Sequence, residues 1–210
     1  MKKIDNFIRI IFLVLFLFLL IKGRIMLWLV LFGISLIFAL FFGRIYCGYI
    51  CPINTLMQPA EWLSKKIIKS GKTAPKWLSK GYFAIILLIL SMGSMLFAKK
   101  TLGINIPILP IWIVLGFLLT LIYKPYVFHN YICPFGVLQK LFGKFSRFSK
   151  RVDPDTCTGC KLCEKVCPAE AIKVSEKSKK AEINAALCHQ CSNCTVKCPT
   201  NSIKYGKSTG

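Results

Sequence analysis

Eight of the chain's eleven cysteines fall in two runs of identical spacing, and no other feature restricts its fold so narrowly. The first run is CTGCKLCEKVCP, Cys157 to Pro168; the second is CHQCSNCTVKCP, Cys188 to Pro199, 31 residues further on. Each reads C-x2-C-x2-C-x3-C-P, a spacing that offers thiolates to a cubane [4Fe–4S] cluster. Three cysteines at two-residue gaps let one tight loop wrap a cube, and the chain then turns away at the proline. Zinc also takes C-x2-C pairs, but it does not ask for a third cysteine at the same gap and then Cys-Pro. Disulfides need an oxidising compartment, and nothing in the sequence points to one. Two [4Fe–4S] clusters are the expected cofactors.

From about residue 150 to 207 the chain resembles the two-cluster bacterial ferredoxins. After each run, CPAEAIKV and CPTNSIKY place a small residue and an isoleucine behind the proline. The resemblance implies an α+β fold of two pseudo-symmetric β-α-β halves. It also implies crossed ligation: Cys157, Cys160, Cys163 and Cys198 hold one cluster, and Cys188, Cys191, Cys194 and Cys167 hold the other. A unit this small buries little apolar surface, so the clusters are expected to staple it. His189, inside the second run, reads as a solvent-facing loop residue.

The rest of the chain is of another kind. The 210 residues are 55% apolar and carry a formal net charge of +21. That pairing indicates membrane spans with basic flanks. The apolar mass lies almost entirely before residue 145, which suggests a membrane domain over 1–148 and a ferredoxin-like domain over 149–210. No nucleic-acid motif accompanies the lysines, which flank apolar spans or scatter through the tail. They suit membrane lipid with an anionic surface, or an acidic redox partner protein.

Phe7–Ile21 and Ile25–Phe42 are apolar apart from Arg9, with Lys22-Gly23-Arg24 between them. One helix through both would run ~54 Å, far beyond a hydrocarbon core of ~30 Å. Two spans are expected instead, with Arg9 snorkelling to the headgroups. No small-x-small cleavage site follows the first run, which argues against a signal peptide. A third span is expected from about Tyr82 to Ala98, ahead of Lys99-Lys100. A fourth is expected from about Ile104 to Tyr123, with Pro107 and Pro110 in its first turns, where proline is tolerated. The segment between spans two and three carries Arg44, Lys65, Lys66, Lys69, Lys72, Lys76 and Lys80. The positive-inside rule puts that side in the cytoplasm, together with both termini, Lys2 and Lys3 at one of them.

The remaining cysteines form a second constellation. Span two runs into GRIYCGYICPINTL, with Cys47 and Cys51; span four runs into KPYVFHNYICPFGVL, with His129 and Cys133. The two segments align, Cys47 with His129 and Tyr49-Ile50-Cys51-Pro52 with Tyr131-Ile132-Cys133-Pro134. EWLSKKIIK and KLFGKFSRF follow them and read as amphipathic helices at the interface. The membrane part is thus an internal repeat. If each motif is helical, positions i and i+4 share a face. Cys47, Cys51, His129 and Cys133 would then converge as one Cys3His set for a metal ion or a third iron–sulfur centre. The alternative is that the cysteines are small buried apolar residues and that His129 bonds at a helix end.

Paired C-x3-C-P motifs after membrane spans, followed by a two-cluster tail, resemble the NapH/NosR/CcoG-type membrane polyferredoxins. The resemblance covers essentially the whole chain. Cys47, Cys51 and Cys133 match the family motif, and His129 stands where its remaining cysteine belongs. The resemblance implies electron transfer between a cytoplasmic donor or acceptor and a membrane partner or quinone pool. It leaves open a copper reductase, or a maturation factor for a respiratory metalloenzyme. The chain reads as an electron carrier rather than a self-contained enzyme. No histidine pair lies on a span to hold a b-type haem.

Overall fold

The computed structural model describes residues 2–67, 71–78, 81–101, 103 and 108–207. They form two compact units, residues 1–51 with 139–210, and residues 52–138. The domain boundary expected at residue 148 therefore lies within the first unit.

In the first unit, α1 (Lys2–Ile21) and α2 (Ile25–Phe42) are joined through Gly23, whose φ is 67°. Both are long and apolar enough to cross a membrane. They pack through Phe16 against Trp28, ring centroids 5.1 Å apart, while Phe7, Val14, Phe18, Val30 and Ile37 stay exposed, as a lipid-facing surface requires. After Gly43 the backbone widens into a π-helical turn, Tyr46–Ile50. Trp28 Nε1 donates to Tyr46 Oη at 2.9 Å and ties that turn to α2.

The cysteine-rich part repeats itself in space as it does in sequence. Strand β1 (Phe148–Val152) pairs antiparallel with β4 (Ile203–Lys207), from Phe148↔Lys207 to Val152↔Ile203. Strand β2 (Ile172–Val174) pairs antiparallel with β3 (Ala181–Ile183). Short helices, Leu162–Val166 and Asn193–Lys197, follow the cysteine loops at matching places. Gly159 and Gln190 are both left-handed (φ 68° and 58°), as are Glu170 and Asn201 (both 51°). These pairs occupy equivalent positions in the two runs. Ile172, Ala181 and Ile203 make the small apolar core, with Cys163 and Cys194 buried in it.

In the second unit, α3 (Pro52–Ile67) packs on α5 (Ile108–Ile122). Gly116 permits this approach, since a Cβ there would sit 2.9 Å from the Ile53 side chain and 3.2 Å from the Phe128 ring. Ser64 Oγ donates to Leu121 O at 2.7 Å across the same pair. Helix α4 (Tyr82–Thr101) is a third helix long enough to span, and its Ser91 and Thr101 hydroxyls donate to carbonyls one turn back. Helix α6 (Pro125–Tyr131) leads to α7 (Pro134–Gly143).

One expectation is revised. The helix foreseen through KLFGKFSRF ends at Gly143, and Phe148 already belongs to β1. Strand pairing with β4 claims those last residues, and the local amphipathic pattern could not anticipate a partner so distant in sequence. The fourth apolar helix is only 15 residues, about 22 Å, so three helices rather than four meet the length of a span among the described residues. The expected start of that span at residues 104–107, with Pro107, lies outside them, as do Lys69 and Lys80.

Candidate iron–sulfur site

The second run does not face solvent. Within the first unit it lies against the π-helical turn that carries Cys47. Gly48 makes this approach possible, because a Cβ there would collide with the carbonyl oxygen of His189. Tyr49 Oη donates to Gln190 O at 3.2 Å. Gln190 in turn donates from Nε2 to Ser149 Oγ at 2.8 Å and accepts from Lys150 N at 3.1 Å, fastening the loop to β1. Ser192 Oγ donates to Asp5 of α1. His189 is 2% exposed, which overturns its reading as a solvent-facing residue; the packing of its loop on residues 46–50 is the reason.

Arg9 is also not where the sequence suggested. It is 7% exposed rather than snorkelling. Its Nε donates to Gly48 O at 2.8 Å, its Nη1 reaches Asn6 Oδ1 at 3.4 Å, and its guanidinium lies 5.8 Å from the centre of the Tyr49 ring. Tyr49 is pushed up to about 12, first by burial and then by the negative charge of Asp5 and Cys191.

The four thiols expected around the first cluster line a single cavity: Cys157, Cys160, Cys163 and, from the second run, Cys198, beneath Val152 and Ile203. Cys167 crosses the other way and packs beside Cys188, Ala169 and Ala171, accepting a bond from Ala171 N at 3.3 Å. The two sets differ in exposure. Cys160 is exposed and Cys157 and Cys198 are half-buried, whereas Cys188, Cys191 and Cys194 are all buried. Burial pushes the thiols of Cys188, Cys191 and Cys194 up, Cys194 to about 11. Buried sulfurs of that kind suit ligation by a cation-rich core far better than a free negative charge. Among the described residues, no three His, Cys, Asp or Glu side chains close to the distances of a single metal ion. Thiolates around a cubane stand farther apart than those around one ion, so the donor sets fit clusters.

The membrane motifs share an unexpected backbone device. Cys51 N donates to Tyr46 O at 2.8 Å, and Cys133 N to Phe128 O at 2.7 Å, both five residues apart. Each cysteine thus closes a turn wider than an α-helix, immediately before the proline that starts the next helix, and the one-face α-helical arrangement of i and i+4 does not apply. Wide turns of this type recur at functional sites. Cys47, Cys51, His129 and Cys133 are all buried. In the first unit Arg44, fully buried, donates from Nη2 to Cys47 Sγ at 3.7 Å. Among the described residues its Nε and Nη1 have no partner. In the second unit His129 Nε2 lies 3.1 Å from Asn54 Oδ1, and a proton on Nε2 makes Nδ1 the accepting nitrogen of the ring.

Sequence reading misassigned Arg9 and gave no site role to Arg44, Tyr49, Gln190 or Asn54. An arginine inside an apolar helix was the available signal, since ionisable groups at membrane depth are costly without a partner.

Two family models match. A 4Fe-4S binding domain covers residues 25–70 and 105–152, the two halves of the membrane repeat, and a 4Fe-4S dicluster domain covers 156–203. Among known proteins, an uncharacterised protein of Methanocaldococcus jannaschii is 34% identical over 71% of this chain and 61% of its own. The methylamine utilization ferredoxin-type protein MauN of Methylobacillus flagellatus is 28% identical over 68% of this chain and 54% of its own. The ferredoxin-type protein NapH of Haemophilus influenzae is 27% identical over 71% and 56%. The chain thus spans about half to three fifths of the length of these three relatives. With 4Fe–4S models matched on both its membrane repeat and its cysteine runs, and ferredoxin-type relatives along most of its length, the chain belongs to the NapH-type polyferredoxins.

Proposed function

We propose that this protein is a membrane-bound electron carrier. It relays electrons between a cytoplasmic donor or acceptor and a membrane partner or the quinone pool. Two [4Fe–4S] clusters supply reversible one-electron couples when bound. Cys157, Cys160, Cys163 and Cys198 hold the first; Cys188, Cys191, Cys194 and Cys167 hold the second. The observation that carries this reading is the seating of the second run on the Tyr46–Ile50 turn, through Gly48 under His189 O and Tyr49 on Gln190 O. It supports an ordered route, with exposed Cys160 at the cytoplasmic end and Cys47 at the membrane end.

We further propose that the membrane motifs serve a third redox or metal centre, for which Cys47 and Cys51 are the candidate donors of the first motif and Cys133, with His129, those of the second. Arg44 supports an anionic group there, because two of its donors are buried without an acceptor among the described residues, an arrangement costing about 1–3 kcal/mol for each unmet group. The short helix Ile108–Ile122 serves as a fourth span, with both termini cytoplasmic.

The test is spectroscopic. Purified full chain should contain about eight iron and eight acid-labile sulfides from the tail. It should be bleached by low-potential reductant and reoxidised by a quinone analogue. Reoxidation by copper(II) but not by quinone would favour a copper reductase. Stoichiometric zinc without labile sulfide would end the proposal.

A further inference from the structure

Arg9 is the one cation within the apolar body of α1, and its side chain is turned inward onto the cysteine-bearing part of the same unit. A guanidinium at that depth is expensive unless its donors are met. Here they meet Gly48 O and Asn6 Oδ1, and the plane beside them is the Tyr49 ring. Gly48 lies directly under the His189 carbonyl, and Tyr49 holds Gln190 O, so Arg9 stands one residue layer from the second run. Asp5, one turn earlier on α1, takes the Ser192 hydroxyl of that run. Lys150 reaches the same side from β1, donating to Thr195 Oγ1 at 3.1 Å. Among the described residues the cavity of the first run is lined by its own unit's loops and strands and opens beside exposed Cys160.

We propose that Arg9 is a positioning residue for the second cluster: its buried charge raises the reduction potential at Cys167, Cys188, Cys191 and Cys194 and leaves the first cluster's potential alone. The proposal rests on the reading that the second run holds a cubane. A thiolate-ligated cluster is already anionic, and one more electron adds negative charge without moving a proton. A fixed cation in a low-dielectric setting therefore favours the reduced form.

The experiment is an EPR-monitored redox titration of the full chain in lipid nanodiscs, with dithionite as electron donor. Cys160→Ser identifies the first cluster's signal as the one lost outright, the second cluster's signal being weakened but still present. Arg9→Gln is expected to lower the second cluster's reduction equilibrium constant about tenfold, ~59 mV for a one-electron couple, with the first cluster unmoved. Arg9→Lys, which keeps the charge, is expected to retain most of the potential. Tyr49→Phe, which loosens the docking without changing charge, is expected to leave it in place. The proposal is overturned if Arg9→Gln moves both clusters equally or neither, or if Tyr49→Phe reproduces its shift. Should Arg9→Gln lose iron, Arg9→Lys decides: a full tenfold drop with the charge present overturns the proposal. A wild-type protein with two clusters and no Arg9 effect removes this inference only, whereas one with no labile sulfide removes the electron-carrier reading itself.

Discussion

Gly48 sits where two parts of the chain meet without space for a methyl group. The group it would strike is the His189 carbonyl, part of a backbone held on both sides by cysteines, so neither neighbour can give way cheaply. Gly48→Ala is expected to cost about 1–3 kcal/mol and to loosen the second run. Faster release of iron to a chelator checks this, and Gly33→Ala, with open space around it, is the control that should leave release unchanged. The membrane cysteines separate in a second measurement. Cys51→Ser is expected to keep the tail's iron and its spectrum while losing transfer to a quinone analogue. His129→Cys should be better tolerated than His129→Ala if position 129 is a ligand. Unchanged metal content and transfer in all these variants would make the residues packing groups only. The cysteines were legible as a set because their spacing repeats. Arg9 was legible as an anomaly but misassigned, since snorkelling and inward pairing are equally available to a long side chain until the neighbouring chain is in place.

At the scale of elements, the two cysteine runs act as one structure. Cys163 and Cys194 share the apolar core of Ile172, Ala181 and Ile203. Replacing Cys160 by serine is therefore expected to remove the first cluster and also to destabilise the second. Iron analysis should give less than half of the wild-type content, and retention of a fully stable second cluster would argue for two independent halves. Helix α5 offers the corresponding test in the second unit. Gly116→Leu drives a side chain into Ile53 and Phe128, and is expected to lower stability by about 1–3 kcal/mol, read by thermal unfolding in detergent. Gly93→Ala, on an open face of α4, should be neutral. The long helices were foreseen from apolar runs, and the short helices of the cysteine-rich part only through the ferredoxin resemblance. The end of α7 at Gly143 was not, because β1 takes its identity from a strand more than fifty residues away.

For the molecule as a whole, the excess of positive charge sets expectations for topology and association. Reporter fusions after Gly71 and after Tyr205 are expected to signal cytoplasm, and one after Lys100 the opposite side. Opposite signals from Gly71 and Tyr205 would mean that one of the two apolar helices between them, α4 or α5, does not cross. The proposal of an acidic redox partner predicts binding that weakens steeply between low and physiological ionic strength, as for any steered encounter of exposed charges. What the sequence by itself determined is local: cysteine gaps short enough to wrap a cube, apolar runs of span length, and a motif that recurs after two of them. Each is written in residues a few positions apart, so neighbouring chemistry suffices to read it. What only the tertiary structure decided is where the second run rests. Tyr49 and Gln190 are separated by 141 positions, and Asp5 and Ser192 by 187. No period or propensity carries information over that distance; the docking exists because Gly48 leaves room for a carbonyl, and because a buried arginine needs an acceptor that only the folded chain provides.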